Sequence, residues 1–190
     1  TSPNDRAFLY FSGHGTHIDD TSGDEQDNND EVLMPHDTKY ANGTLKNTLV
    51  DDRFGELLKD IRAREVLVFI DACHSGTATK SFGQGYPKYY RYNGMPQVNK
   101  GNFKPQEVMK SGRFVALSAC KDTETALATK KGSLFTCGVS AAVQKAASSG
   151  RSLDLNELKR IVTRYIENNA TPDSVHHPVI SGNSSLASNN

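Results

Sequence analysis

The sequence has too few cysteines for a disulfide framework, because it contains three in 190 residues, without close spacing. It has no apolar run long enough to span a bilayer, so we expect no transmembrane helix. It also has no net charge, since 22 Lys and Arg residues balance 22 Asp and Glu residues. These absences argue against a secreted disulfide scaffold, a membrane protein and a nucleic-acid binder, and they favour reduced thiols in the cytoplasm.

Charge is unevenly distributed along this neutral chain. No Lys or Arg lies between Arg6 and Lys39, where eight acidic residues occur. The balance reverses between Lys80 and Arg113, where seven basic residues accompany a single acidic one. Residues 77–104 of this basic stretch have neither helical nor strand periodicity, and a loop of that length in a compact domain is usually functional or disordered.

Alternating apolar strands and amphipathic helices predict the fold class. Short runs rich in β-branched residues and bounded by turn residues indicate buried strands, whereas apolar residues at helical spacing indicate helices. The predicted strands are residues 7–11, 66–71, 114–119 and 178–181, and the predicted helices are 54–61, 133–148 and 155–168. This alternation favours an α/β fold with a mainly parallel sheet covered by helices on both faces.

The intervening segments yield more local expectations. Residues 16–31 are acidic and without periodicity, which predicts a loop. Asn42-Gly43 is a turn signal that can close a hairpin. Asp51 or Asp52 is placed to cap the helix that follows.

Two strand ends carry groups capable of covalent chemistry. Ser12-Gly13-His14-Gly15 follows one buried run, and Asp71-Ala72-Cys73-His74-Ser75-Gly76 ends another. Neighbouring parallel strands present their carboxyl ends at the same edge of a sheet, so we expect His14 and Cys73 to lie together. A thiolate could then attack a carbonyl while the imidazole handles the proton, and the N–H groups of Gly15 and Cys73 could bind the oxyanion.

Other interpretations of the same residues remain open. His14, His17, Cys73 and His74 could be zinc ligands, although no helix or cysteine pair supports such a site. Asp71 could simply cap the turn that follows its strand. Cys120 and Cys137 are interpreted as buried packing residues.

The order of the two motifs resembles that of metacaspases, also called orthocaspases in prokaryotes, within the caspase-like cysteine peptidases, and a prokaryotic member is favoured. Weaker landmarks follow in the family's order: Asp30-Glu31 with Pro35 and Asp37, Leu117-Ser118-Ala119-Cys120 with Asp122, and His177-Pro178. The resemblance covers nearly the whole chain. It implies a caspase–hemoglobinase three-layer α/β sandwich whose N-terminal strand or strands are missing from this chain.

The resemblance also implies an internal division. Residues 1–76 correspond to the large-subunit-like portion with both catalytic motifs, 77–112 to an intersubunit linker, and 113–190 to the small-subunit-like portion. Together these portions are expected to form one caspase-like domain. The basic residues between Lys80 and Arg113 then lie where self-cleavage of the chain is expected, and the Tyr-rich part of the linker is interpreted as a linker or substrate segment.

The resemblance assigns roles to the two motifs. It makes Cys73 the nucleophile and His14 the acid/base, and it places Ser12 and Asp71 in the pocket for the residue before the scissile bond. Because Asp71 is an anion, charge complementarity predicts Arg or Lys at that substrate position. The expected partners are therefore peptides with such residues and the chain's own N-terminal fragment. An incomplete fold that only binds or scaffolds is the alternative.

Calcium is the cofactor that the resemblance raises. Asp30, Asp51 and Asp52 resemble calcium ligands in position, and hard oxygen donors suit Ca²⁺. The next ligand in the family's pattern falls at Lys80, a cation. We therefore expect that no cofactor is required.

Overall fold

The computed structural model describes residues 1–19, 29–73, 86–90, 112–121 and 124–188. Two short 3₁₀ turns, Pro172–Ser174 and Ser184–Ser188, accompany the regular elements. In chain order these elements are β1 (Arg6–Ser12), β2 (His14–Asp19), β3 (Asn29–Met34), β4 (Lys39–Ala41), β5 (Thr44–Lys46), β6 (Leu49–Val50), α1 (Asp51–Lys59), β7 (Glu65–Asp71), β8 (Tyr86–Pro87), β9 (Phe114–Ser118), β10 (Leu127–Thr129), β11 (Gly132–Ser133), α2 (Leu134–Ser148), α3 (Leu155–Asn169) and β12 (Val179–Gly182).

The central sheet of the described chain has four strands in the order β1-β7-β9-β12. Strands β1, β7 and β9 run parallel, and β12 is antiparallel to β9. The register places Ser12 opposite Asp71, so β1 and β7 end side by side. The predicted, mainly parallel sheet is therefore confirmed. It contains strands from both predicted subunit-like portions, although the division between those portions stays a prediction.

Helices cover both faces of this sheet, which confirms the three-layer α/β sandwich. Successive residues of a strand point to opposite faces, so β9 contributes to two apolar clusters. Helices α2 and α3 pack on Leu117, and α1 packs on the face that contains Phe114 and Ala116. Within the described ranges, none of the helices is long and apolar enough to cross a membrane.

The expected loop over residues 16–31 is wrong at both ends. Strand β2 continues to Asp19 and pairs antiparallel with β3, which begins at Asn29. Ile18 and Val32 are buried in a small cluster with Val50, so a few apolar side chains suffice to hold these strands together. The acidic composition of the segment obscured this signal. Residues 20–28 lie outside the described part of the chain.

Two further local expectations have mixed outcomes. The Asn42-Gly43 hairpin is confirmed, because β4 and β5 flank these residues, whose φ angles of 53° and 76° suit a tight turn. Capping of α1 by Asp51 or Asp52 is wrong, since Val50 is the N-cap residue and makes no side-chain cap. Asp154, by contrast, caps α3 by accepting a 2.7 Å hydrogen bond from the Glu157 N–H.

Strand β1 is less buried than its apolar sequence predicted. Phe8 is 59% exposed and Tyr10 is 40% exposed, because β1 is an edge strand of the described sheet. Alternate residues of β1 are half-buried against the rest of the sheet. The apolar run therefore predicted strand β1 correctly, but it did not predict that β1 lies at an edge of the described sheet.

Gly182 in β12 provides a test of the packing around β9. Its φ is +86°, and an added Cβ would lie 2.6 Å from the Phe114 carbonyl oxygen. We expect Gly182→Ala to lower the free energy of unfolding by about 1–2 kcal/mol through the positive φ and by about 1–3 kcal/mol more through the clash. Urea denaturation measures this loss.

Gly150→Ala is the matched control for this substitution. Gly150 also has a positive φ, +64°, but an added Cβ would meet nothing within 4 Å. Its substitution should therefore show only the smaller backbone cost. Equal losses in the two variants would contradict the close approach of Gly182 to β9.

Candidate active site

The parallel register of β1 and β7 brings four predicted site residues to one edge of the sheet. Ser12 lies opposite Asp71, and the Gly13 N–H donates a 3.1 Å hydrogen bond to the Asp71 carbonyl. His14 begins β2 directly after this contact, and Cys73 lies two residues beyond Asp71. The sequence prediction that these groups share an edge matches the observed topology.

Asp71 is a buried carboxylate surrounded by hydrogen-bond donors. Its side chain is fully buried, and it accepts hydrogen bonds from Ser133 Oγ at 2.9 Å, from Ser12 Oγ at 3.2 Å and from the Thr136 hydroxyl. The Lys88 ammonium lies 3.6 Å from Asp71 Oδ1 and donates to Ser12 Oγ at 2.9 Å. Three hydroxyl groups and one ammonium group therefore compensate for the burial of this anion.

Sequence reasoning missed Ser133 and Thr136 as hydrogen-bond partners of Asp71. They stand at the start of α2 and in its first turn, where the sequence indicated only the beginning of a helix. A buried carboxylate requires hydrogen-bond donors, so a buried Asp71 was itself a sign that such donors must lie nearby. The sequence could not say which helix supplies them, because that depends on how α2 packs against the end of β7.

Two backbone amides at this edge share one acceptor. The Lys88 carbonyl oxygen accepts hydrogen bonds from the Gly15 N–H at 2.9 Å and from the Cys73 N–H at 3.4 Å. These are the two donors that the sequence suggested for an oxyanion. A pair of N–H groups converging on one oxygen has the arrangement that stabilises negative charge on a carbonyl under attack.

The Cys73 thiol is directed into the protein core. Its Sγ accepts a 2.6 Å hydrogen bond from the Ala126 N–H and lies 3.7 Å from the Sγ of Cys120. Burial, and then the neighbouring Cys120, raises the pKa of the Cys73 thiol far above its usual range. Burial therefore favours the protonated thiol, whereas the hydrogen bond from the Ala126 N–H favours the thiolate.

His14 lies on the open side of the same edge. Its ring is 6.5 Å from that of Tyr90, and no hydrogen bond joins its imidazole to the Cys73 thiol, both residues being described. Partial burial, and then the Lys88 charge, lowers the pKa of His14 below its ordinary value. A neutral imidazole at pH 7 follows, and the dyad with Cys73 stays a prediction.

The short segment of residues 86–90 crosses this edge of the sheet. Strand β8 pairs antiparallel with β10, and the Lys88 N–H donates to the Ala126 carbonyl at 3.0 Å. After Lys88, the Tyr90 N–H donates to the Gly15 carbonyl at 2.9 Å. Sequence reasoning assigned these residues to the linker without a position, because two-residue pairings have no periodicity.

The other candidate residues are less completely described. Asp30 is 1% exposed in β3, and Asp51 begins α1, whereas the Asp52 side chain, His74, Lys80 and Asp122 lie outside the described part. Within the described ranges, no three His, Cys, Asp or Glu side chains cluster closely enough to hold a metal ion. Cys120 is buried as expected, but Cys137 is only half-buried, since it lies near the Lys131 carbonyl rather than in the core.

These features define an α/β three-layer sandwich with histidine and cysteine at adjacent strand ends. A family model described as "Caspase domain" matches residues 1–186, and the chain therefore belongs to the caspase-domain family of cysteine peptidases. The crystal structure of a Geobacter sulfurreducens protein matches 96% of this chain and 68% of its own, with a TM-score of 0.60. At 20% identity, that likeness shows the fold alone.

Several fungal metacaspases are similar to this chain. Metacaspase-1 of Saccharomyces cerevisiae is 30% identical over 133 residues, which is 70% of this chain and 28% of the yeast protein. Metacaspase-1 of Eremothecium gossypii is 45% identical over 78 residues, or 40% of this chain and 16% of the fungal protein. The matched segments thus span well under a third of these relatives.

Titration of His14 tests the electrostatics of the site. In a Cys73→Ala background, we expect the pKa of His14 to lie below about 6.5. Lys88→Met should raise it, because the neighbouring positive charge disfavours the imidazolium form. Histidine NMR, with assignment by His14→Gln, measures both values. A His14 pKa that does not change on Lys88→Met would contradict the proximity of the imidazole to the Lys88 ammonium.

Proposed function

We propose that this chain is a cysteine endopeptidase that cleaves after Lys or Arg with a Cys73–His14 dyad. One observation carries the proposal. The Lys88 ammonium is bound between Asp71 and Ser12 while the carbonyl of the same residue accepts from the Gly15 and Cys73 amides. A basic side chain and a polarised carbonyl belonging to one residue are what such a peptidase must recognise.

Each group then has a defined role. His14 takes the thiol proton as Cys73 Sγ attacks the carbonyl carbon, and it then delivers that proton to the departing amine. The two amides stabilise the oxyanion, and Asp71 selects a cation at the preceding side chain. Arg fits the pocket as well as Lys, because a guanidinium can bridge a carboxylate and a neighbouring hydroxyl.

A catalytically incomplete binding module is the second candidate. It is favoured by the Cys73 thiol, which contacts Ala126 and Cys120 rather than His14. In such a module the anionic pocket would bind basic peptides without cutting them. Thiol reactivity separates the candidates, because only the peptidase needs Cys73 to become accessible.

Specificity is tested with matched peptides that carry arginine or its neutral isostere, citrulline, before the reporter group. We expect the chain to prefer arginine in kcat/KM by at least about 30-fold, since losing one partner of a buried charge pair costs about 2–5 kcal/mol. Asp71→Asn should abolish most of this preference. The ratio is insensitive to the folded fraction of the variant.

Two cysteine variants serve as controls for this assay. Cys73→Ala should abolish cleavage and labelling by an arginyl chloromethylketone, whereas Cys137→Ala, at the half-buried thiol of α2, should retain both. Strong cleavage after Asp, or full activity of Cys73→Ala, would refute the proposal. Unlabelled Cys73 in a chain that still binds arginyl peptides would instead support the binding module.

We further propose that catalysis does not require calcium. The resemblance places a further ligand, in addition to Asp30, Asp51 and Asp52, at position 80, where the sequence has a lysine whose positive charge would repel Ca²⁺. Arginine-reporter activity should therefore change by less than about two-fold between excess chelator and added CaCl₂. Asp30→Asn should leave the remaining calcium response unchanged. Loss of activity on chelation, restored by Ca²⁺, would show that the prediction is wrong.

A further inference from the structure

We propose that Cys73 and Cys120 are a redox pair: a hydroperoxide oxidises them to a disulfide bond, and this bond switches the proposed peptidase off. The two thiols are buried at the same edge of the sheet, and their Sγ atoms lie 3.7 Å apart. The pairing of the thiols stands on this geometry, whereas the loss of peptidase activity rests on the proposed function.

The parallel pairing of β7 with β9 brings the two cysteines together. The paired residues end with Ile70 opposite Ser118. Cys73 follows shortly after the first of these residues and Cys120 shortly after the second, so both chains leave the sheet side by side. The Cys120 Sγ lies 3.9 Å from the Ala72 carbonyl oxygen, so the two segments remain adjacent beyond the strands.

This placement suits a disulfide bond. Neighbouring strands lie about 4.7–4.9 Å apart, and disulfides join residues whose Cα atoms are about 4.4–6.8 Å apart. The two Sγ atoms, now 3.7 Å apart, have to approach to about 2.05 Å. Because the two backbones leave neighbouring strands, we expect rotation about the Cα–Cβ bonds to close this gap without a rearrangement of the backbone.

Cys73 is the cysteine that reacts with the oxidant. The hydrogen bond from the Ala126 N–H stabilises negative charge on its Sγ, and the thiolate is the form that peroxides oxidise. Burial raises the pKa of this thiol, so the reaction is slow while Sγ faces the core. The turn of Cys73 toward a substrate, which the proposed function requires, also exposes it to a small oxidant. Turned inward, as in this structure, the oxidised sulfur lies against Cys120.

The reaction balances as a two-electron oxidation of two thiols by one peroxide. The Cys73 thiolate attacks one oxygen of hydrogen peroxide, the O–O bond breaks, and the released hydroxide takes up a proton to become water. The Cys120 sulfur then attacks the Cys73 sulfenic acid: an S–S bond forms, the S–O bond breaks, and a second water leaves with the Cys120 proton. A dithiol restores both thiols by exchange and is itself oxidised to a disulfide.

Two consequences distinguish this pair from cysteines that only pack together. In the disulfide, Cys73 has no free sulfur to attack a carbonyl, so the peptidase is inactive until it is reduced. Condensation with Cys120 also stops Cys73 from advancing to the sulfinic acid, which dithiols do not reverse. Cys120 therefore makes the inactivation reversible, which a packing role does not provide.

The disulfide is tested by peptide mapping of the unaltered chain. The reduced protein is treated with hydrogen peroxide, the remaining thiols are blocked with iodoacetamide, and the chain is digested without reduction for mass spectrometry. We expect the peptides that contain Cys73 and Cys120 to be joined, and dithiothreitol to separate them. Oxidation that joins Cys73 to Cys137, or that leaves Cys73 unjoined to Cys120, would overturn the proposal.

Reversibility is tested on an arginine reporter, with each chain normalised to its own activity before oxidation. Peroxide should lower the activity of the unaltered chain by at least about ten-fold, and dithiothreitol should restore most of it. Cys120→Ala and Cys120→Ser should recover at least about ten-fold less, because their Cys73 proceeds to the sulfinic acid. Cys137→Ala is the matched control and should recover like the unaltered chain. Equal recovery in all four chains would contradict the role of Cys120.

The two measurements separate this inference from the proposed function. A chain that cleaves arginine reporters but forms no link between Cys73 and Cys120 would overturn the redox pair and leave the peptidase intact. A chain that forms the link but cleaves no reporter before oxidation would support the disulfide and refute the peptidase. Peptide mapping needs no substitution, so it decides the pairing even where a Cys120 variant fails to fold.

Discussion

The buried carboxylate of Asp71 is the constraint around which the site is arranged. Burying an anion is costly unless hydrogen bonds and a cation compensate for the lost water. Here β1 supplies Ser12, the start of α2 supplies Ser133 and Thr136, and Lys88 supplies the positive charge. The Asp71 side chain therefore contacts the central sheet, the covering helix α2 and the segment of residues 86–90.

The parallel register of β1 and β7 links the position of Asp71 to the positions of His14, Gly15 and Cys73. Because Ser12 pairs with Asp71, β1 and β7 end at the same edge of the sheet. Strand β2 and the residues after β7 therefore begin side by side. His14, Gly15 and Cys73 inherit their positions from that register rather than from contacts with one another. This explains how the Gly15 and Cys73 amides can converge on one carbonyl oxygen although no hydrogen bond joins the Cys73 thiol to the His14 imidazole.

Sequence patterns were sufficient for the elements whose burial is regular. The runs that became β7 and β9 are continuous and apolar, and α2 and α3 have apolar residues at helical spacing, so their burial follows directly from the sequence. The patterns failed where neighbours decide the outcome. Phe8 is exposed because β1 is an edge strand of the described sheet, and β2 continues through an acidic segment because Val32 and Val50 cover Ile18.

The sequence alone determined the chemical inventory: a cysteine, a histidine and an acid at the ends of apolar runs, together with the caspase-like order of those motifs. Tertiary structure alone decided which basic residue pairs with Asp71, which hydroxyls donate to it, and where the Cys73 thiol points. The physical reason is that residue type and spacing are local properties, whereas pairing partners, burial and pKa depend on what the rest of the chain packs against each group.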